Sequence, residues 1–235
     1  MMKRCLDILL VWIPTAFLVL SLLLVIVYKW YPVRWTPLML KRSLEYAGES
    51  GYSNRQIWVQ SGQISPIMIQ TILLSEDQRF YSHNGFDAIE LRKMKEEHDH
   101  YGKSLRGCST ISQQVAKNCF TFGSRTMLRK AVEAYYTVLI ELLWGKERIL
   151  EVYLNVVETG KGLFGVEAAC QEYFMCTAGD LYLDDAVALA CVLPKPLART
   201  PISVRTTHYP KVNKLTKDVL NLIAETPLNK ELYEK

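Results

Sequence analysis

Glu76 and Asp77 close an apolar run, Ile67 to Leu74, and are followed within ten residues by Phe80, His83 and Gly85. Ser65-Pro66 reads as a helix start, with serine capping and proline at the first helical position. Glu76 therefore falls in the last turn of a largely buried helix. The negative end of the helix dipole and apolar neighbours both disfavour a second negative charge there. Such a carboxylate is suited to accept a proton as a general base. Taken alone, the same residues also describe an acidic pair ending a helix in solvent. His83 reads as a hydrogen-bonding partner of this loop rather than as a base.

Two further stretches carry polar groups in an organised pattern. Between Gly107 and Phe122, Ser109 is a plausible helix cap, so free backbone N–H groups face whatever lies before it. Thr110, Gln113 with Gln114, and Lys117 recur at three- and four-residue spacing and share one helix face, with Asn118 beside them. Hydroxyl, amide and ammonium groups in a line suit sugar hydroxyls and a phosphate; an exposed polar face is the plainer alternative. Further on, Arg125, Arg129 and Glu133 are spaced by four, with Lys130 between them, on a helix expected to start at a Ser124 cap and run to about Trp144. The opposite side of that helix carries Met127, Leu128, Val132, Tyr135, Leu139 and Leu142, a core-type stripe. An exposed i,i+4 pair at Arg129 and Glu133 would contribute only about 0.3–0.5 kcal/mol.

Five ordered stretches together resemble the signatures of the peptidoglycan glycosyltransferases. Glu-Asp-x-x-Phe-x-x-His-x-Gly-Phe-Asp (76–87) resembles the first, Gly107-Cys-Ser-Thr-Ile-Ser-Gln-Gln-Val-Ala-Lys-Asn118 the second, and Arg129-Lys-Ala-Val-Glu133 the third. Arg148 to Asn155 with Gly165 to Phe174 is similar to the fourth, and Leu189-Ala-Cys-Val-Leu-Pro194 to the fifth. The departures are small: Cys108 stands where glycine or alanine is usual, and Ser112 where threonine is common. The resemblance implies a mainly α, lysozyme-like, bilobed helical domain of the monofunctional biosynthetic kind. It implies inverting transfer that polymerises lipid II into β-1,4-linked glycan strands and releases polyprenyl diphosphate. Glu76 and Glu133 would be the catalytic carboxylates. Asp77, Phe80, His83, Ser109, Thr110, Gln113, Gln114, Lys117, Asn118, Arg125, Arg129 and Lys130 would bind substrate. No protein-held metal or tightly bound cofactor is implied, although Mg or Mn would stimulate. Lipid II, the growing glycan-lipid chain, the bacterial membrane and proteins of the division or elongation machinery would be the partners. A membrane-anchored lysozyme-like enzyme that cleaves glycan and a non-catalytic cell-wall scaffold are the rival readings.

The elements that must hold these groups follow from the rest of the chain. Its 235 residues suffice for one good-sized domain and an anchor. A hydrophobic share of 49% with 22% charged residues excludes disorder and fits membrane association. Residues 8–28 contain no charged side chain and are long enough to span a bilayer as a helix, with Pro14 tolerated. No small-residue cleavage site follows, so an uncleaved anchor is expected rather than a signal peptide. Trp30, Tyr31 and Trp35 suit an interfacial belt. Lys3 and Arg4 on one side nearly balance Lys29 and Arg34 on the other, so charge leaves orientation open. The resemblance places the domain outside the cytoplasm, on a single-pass protein of the inner membrane. The expected divisions are a cytoplasmic 1–7, the span at 8–28, a juxtamembrane spacer at 29–60, the catalytic domain at 61–226 and a tail at 227–235.

Asp87 and Glu90 have capping-box spacing for a helix leading into a charge-dense segment, Arg92 to Arg106, expected to be a solvated face or a loop. Lys146 to Val156, Val166 to Phe174, Leu183 to Leu193 and Lys211 to Ala224 read as helices. Gly160, Gly162 and Gly165 read as a turn between helices, since their spacing fits no phosphate-loop fingerprint. The six cysteines lack a framework pattern, though a Cys170–Cys176 bridge is conceivable, and neither they nor the four histidines have zinc spacing. The net charge of +4 comes with no nucleic-acid motif, so headgroups and diphosphate are the expected anions and no nucleic acid is expected.

Overall fold

The computed structural model describes residues 11–102, 109–122 and 126–225. A first helix, α1 (Ile13–Trp30), leads to α2 (Pro37–Glu45), a short strand β1 (Arg55–Gln56), α3 (Pro66–Glu76) and α4 (Ala88–Tyr101). Then come α5 (Ile111–Phe120), α6 (Met127–Leu143) and α7 (Lys146–Val156). The hairpin β2 (Glu158–Gly160) and β3 (Leu163–Phe164) precedes α8 (Val166–Tyr173), α9 (Leu183–Val192), α10 (Pro201–Thr207) and α11 (Tyr209–Glu225). The domain is mainly helical, as expected.

The helices gather in two groups. In one, α5 packs against α6, α7 and α2; in the other, α9 packs against α3, α10 and α11. Composition explains both centres. On α9 every residue from Ala186 to Val192 is buried, which a run of alanine, valine, leucine and cysteine permits without leaving a polar group unpaired. On α5 eight of ten residues are buried, polar ones included.

The glycine-rich turn proves to be a small sheet. Its strand order is β1–β3–β2, with β1 parallel and β2 antiparallel to β3. Gly165 adopts φ +82°, and a Cβ there would meet the Asn155 carbonyl oxygen at 2.7 Å, so only glycine fits between hairpin and α7. Because β1 pairs with β3, the stretch expected to be a spacer belongs to the fold from Val33 onward. Arg42 of α2 forks onto both oxygens of Glu158 at 2.6 and 2.8 Å, and Gln56 donates to the carbonyls of Val33 and Asn155.

Among the described residues, α1 is the helix long and apolar enough to cross a membrane. It is docked along the domain rather than tethered loosely to it. Ser21 Oγ lies 2.6 Å from Tyr135 Oη, Trp144 Nε1 donates to the Val25 carbonyl at 2.8 Å, and Arg148 donates to the carbonyls of Tyr28 and Tyr31. The expected core stripe of α6 divides in the fold. The fully buried line of the helix is Glu133, Tyr136, Thr137 and Ile140, facing α5. Val132, Tyr135 and Leu139 of the stripe pack, partly buried, against the core, whereas Met127, Leu128 and Leu142 are each at least three-quarters exposed.

Candidate active site

Glu76 ends α3, whose Met68, Thr71, Ile72 and Leu73 are buried, so the core fixes where its last turn points. The carboxylate is half-buried rather than enclosed in apolar surroundings as the sequence led us to expect. Gln114 of α5 donates from Nε2 to Glu76 Oε2 at 3.0 Å, and Tyr153 of α7 reaches the other end of the same amide at a long 3.4 Å. The group thus stands at the meeting of the two helical clusters, Oε2 held by Gln114 and Oε1 only by a long 3.5 Å bond from the Ser75 hydroxyl.

Behind it lies a buried polar brace. His83 Nε2 faces Asp77 Oδ1 at 3.0 Å and Oδ2 at 3.1 Å, while the Gly85 N–H donates to His83 Nδ1. Since Nδ1 accepts, the ring proton sits on Nε2 and points to Asp77. Asp77 Oδ2 also accepts from the Ile111 N–H at the start of α5, a carboxylate at the positive end of a helix dipole. Thr110, not Ser109, caps α5 through a box with Gln113, and its hydroxyl also donates to the Gly85 carbonyl at 2.7 Å. Gly85 has φ +87°, and a Cβ would lie 2.7 Å from Thr137 Cγ2 of α6, so the loop can approach α6 only with glycine there. Phe80 is 1% exposed, with the Lys146 ammonium 4.4 Å above its ring. Lys146 also pairs with Glu141 of α6 at 2.7 Å, and Glu141 accepts from Ser112. Asp77, Phe80, His83, Thr110 and Gln113, expected to touch substrate, are thus buried supports of the loop.

On α6, Glu133 is 2% exposed and clamped by Arg129 Nη1 at 3.0 Å and Lys130 Nζ at 2.6 Å. Thr126 caps this helix, donated to by the Arg129 N–H; Ser124 and Arg125 lie outside the described residues, as does Cys108. Lys117 of α5 connects the two carboxylates. Its side chain is exposed to solvent, yet protein crowded around its ammonium pushes its pKa below the ordinary lysine value. Glu133 and Glu76 oppose that shift, whereas Arg129 and Lys130 reinforce it. Lys117 thus lies within electrostatic reach of both Glu76 and the Arg129–Lys130–Glu133 cluster. Ser109 is exposed beside it, while Asn118 is buried and turned away from solvent.

Asp77, His83 and Asp87 bring three ligand-type atoms within 4.8 Å of one another. Their lone pairs are already committed: Asp87 Oδ1 caps α4 through the Ile89 and Glu90 N–H groups, and its Oδ2 faces Arg79. Both oxygens of Glu133 face cations. Among the described residues no carboxylate set fits a divalent ion without breaking these bonds. Sequence reasoning passed over Glu141, Lys146 and Tyr153, whose chemistry shows only once α5, α6 and α7 are packed; a lysine after the glycine ending α6 was the one local hint.

Comparison with known proteins agrees with this arrangement. The sequence pattern of the Transglycosylase family matches residues 43–223. A biosynthetic peptidoglycan transglycosylase of Bacteroides thetaiotaomicron is 39% identical over 221 residues, covering 93% of this chain and 88% of that protein. Proteins of the same name from Bdellovibrio bacteriovorus and Chromohalobacter salexigens are 46% and 47% identical, covering 79% and 77% of this chain and 75% and 77% of their own. With the family pattern running through every element that holds Glu76, Lys117 and Glu133, and with relatives 39–47% identical over most of its length, the chain belongs to the transglycosylase family.

Proposed function

We propose that the chain polymerises lipid II into linear glycan strands of peptidoglycan, forming β-1,4 links and releasing polyprenyl diphosphate. The observation that carries this reading is the family match running through the helices that hold Glu76 against Gln114 and Glu133 between Arg129 and Lys130. Glu76 takes the proton from the acceptor's 4-hydroxyl, whose oxygen attacks the anomeric carbon of the donor as the bond to diphosphate breaks. Negative charge then accumulates on the departing diphosphate. Fixed cations already in place stabilise it without reorganising. Lys117, Arg129 and Lys130 are so placed, and Arg125 joins them in this reading. Glu133 holds Arg129 and Lys130 in position by charge-assisted hydrogen bonds. Gln114 orients Glu76 and Ser109 takes the sugar side; Asn118, buried within the fold, does not. Asp77, Phe80, His83, Thr110 and Gln113 act from behind by fixing the Glu76 loop.

No step in this scheme passes through a protein-bound metal ion; stimulation by Mg or Mn would act on the diphosphate oxygens of the substrate. The apolar α1 serves as the anchor in the inner membrane, with the domain outside the cytoplasm beside its lipid-linked substrate. The deciding experiment is polymerisation of fluorescent lipid II by the full-length protein and by Glu76→Gln. Lengthening glycan with the first and none with the second is expected. Binding without lengthening by the wild type would favour a scaffold, and shortening of preformed glycan would favour a cleaving enzyme.

A further inference from the structure

Helix α8 ends in an arrangement the reaction does not use. Met175 adopts φ +56°, the described non-glycine residue with positive φ, and so reverses the chain just past the helix end. The reversal brings Cys176 back over the last turn, where its N–H reaches the Cys170 carbonyl at 3.5 Å and the two thiols lie within electrostatic reach of each other. Side-chain contact across such a reversal is ordinary for a left-handed helix end and is normally apolar. Here both partners are cysteines, one fully buried and one half-buried. We propose that Cys170 and Cys176 form a redox pair that a small-molecule or protein disulfide closes into an intrachain bond.

The half-buried Cys176 is the sulfur an oxidant can reach. Once its proton passes to solvent, the Cys176 thiolate attacks the oxidant's disulfide, forming a mixed disulfide and expelling one thiolate, which takes up a proton. Cys170 then attacks the Cys176 sulfur, expelling the second. The two cysteines lose two electrons and two protons, and the oxidant leaves as two thiols. The bond would tie together a loop that already bears on α3. Glu167 Oε2 accepts from the Ala178 N–H at 2.7 Å, and the Ala178 carbonyl accepts from the Ser65 N–H that begins the helix ending in Glu76.

Burial, foremost, pushes both thiols above their ordinary range. Glu167 on α8, Asp180 on the loop and Asp185 on α9 add to this, Asp185 being paired with Arg205 of α10. Because the thiolate is the attacking species, closure is slow near pH 7 and quickens as pH rises.

The test uses full-length protein in detergent with Cys5 and Cys108 replaced by serine, incubated folded with oxidised glutathione at pH 7, 8 and 9. It is then denatured, alkylated and digested. The expected result is a linked peptide carrying neither alkyl groups nor glutathione at Cys170 and Cys176, formed faster as pH rises. In the same background, Cys170→Ser should accumulate a stable glutathione adduct on Cys176, and Cys176→Ser should leave Cys170 unmodified while folded. Full alkylation of both cysteines after prolonged exposure at pH 9, or a lasting adduct on Cys176 with Cys170 present, would overturn the proposal. Glycan polymerisation is not the readout, so this result and that of the Glu76→Gln assay stand apart.

Discussion

The two carboxylates at this site lie on opposite sides of one lysine and are held by opposite means. Glu76 is half-buried and receives one neutral amide hydrogen bond from Gln114. Glu133 is 2% exposed with both oxygens against cations. A carboxylate whose two oxygens face cations fixes those cations by charge-assisted hydrogen bonds, whereas one held by a neutral amide leaves its charge open to a substrate group. The proposed function accordingly gives the base to the α3 side and the fixed charge to the α6 side.

That contrast can be broken by experiment. The largest effect is expected for Glu76→Gln, which should lower the polymerisation rate by about 10²–10⁴-fold while leaving the urea unfolding midpoint unchanged, since one exposed-side hydrogen bond is readily replaced. Glu133→Gln should do both kinds of damage. Activity falls, and stability falls by roughly 1–3 kcal/mol as a buried acceptor of charge-assisted bonds is lost, read from the same urea titration. A stability loss for Glu76→Gln matching that of Glu133→Gln would erase the distinction drawn here.

A third test sharpens the role of the lysine between them. Its pKa lies below the ordinary lysine value, chiefly through desolvation, so it loses its charge at lower pH than a free lysine. Affinity for inorganic pyrophosphate, measured by calorimetry, should therefore weaken in the wild type on the alkaline side before ordinary lysines titrate. Lys117→Arg, whose charge persists, should keep its affinity over that range. The linkage to folding runs in the matching direction: the unfolded chain binds this proton more tightly, so the Lys117 contribution to stability grows as pH rises from the folded toward the unfolded pKa. The smallest effect belongs to Gln114→Ala. It should lower kcat about tenfold, the scale of one lost positioning hydrogen bond, with little change in KM.

Much of this was legible in local sequence. The periodicity of α5, α7, α9 and α11 follows from residues three and four apart, and Asp87 caps α4 as its spacing with Glu90 implied. The ion pair of Arg129 with Glu133 is a four-residue spacing on one helix and needs no tertiary information. Caps slipped where two hydroxyl residues were adjacent: Thr110 was chosen over Ser109 because the Gly85 carbonyl lay within reach of its hydroxyl. Which part of the apolar stripe of α6 would be covered was not legible. An amphipathic helix shows two faces, but which is interior depends on what covers each, and α1 covers part of the apolar one from more than a hundred residues away in sequence.

The sequence by itself determined the helical class, an apolar first helix and the order of the chemical groups, because these depend on composition and on spacing within single elements. Only the tertiary structure decided which polar groups face the reaction and which brace it. Asp77 and Gln113 look as reactive as Glu76 and Lys117 in the sequence. They are silenced because Asp77 is satisfied by His83 and by the distant Ile111 N–H, and Gln113 by the nearby Thr110 N–H. Whether a polar side chain is free to act depends on what its neighbours in space have left unpaired.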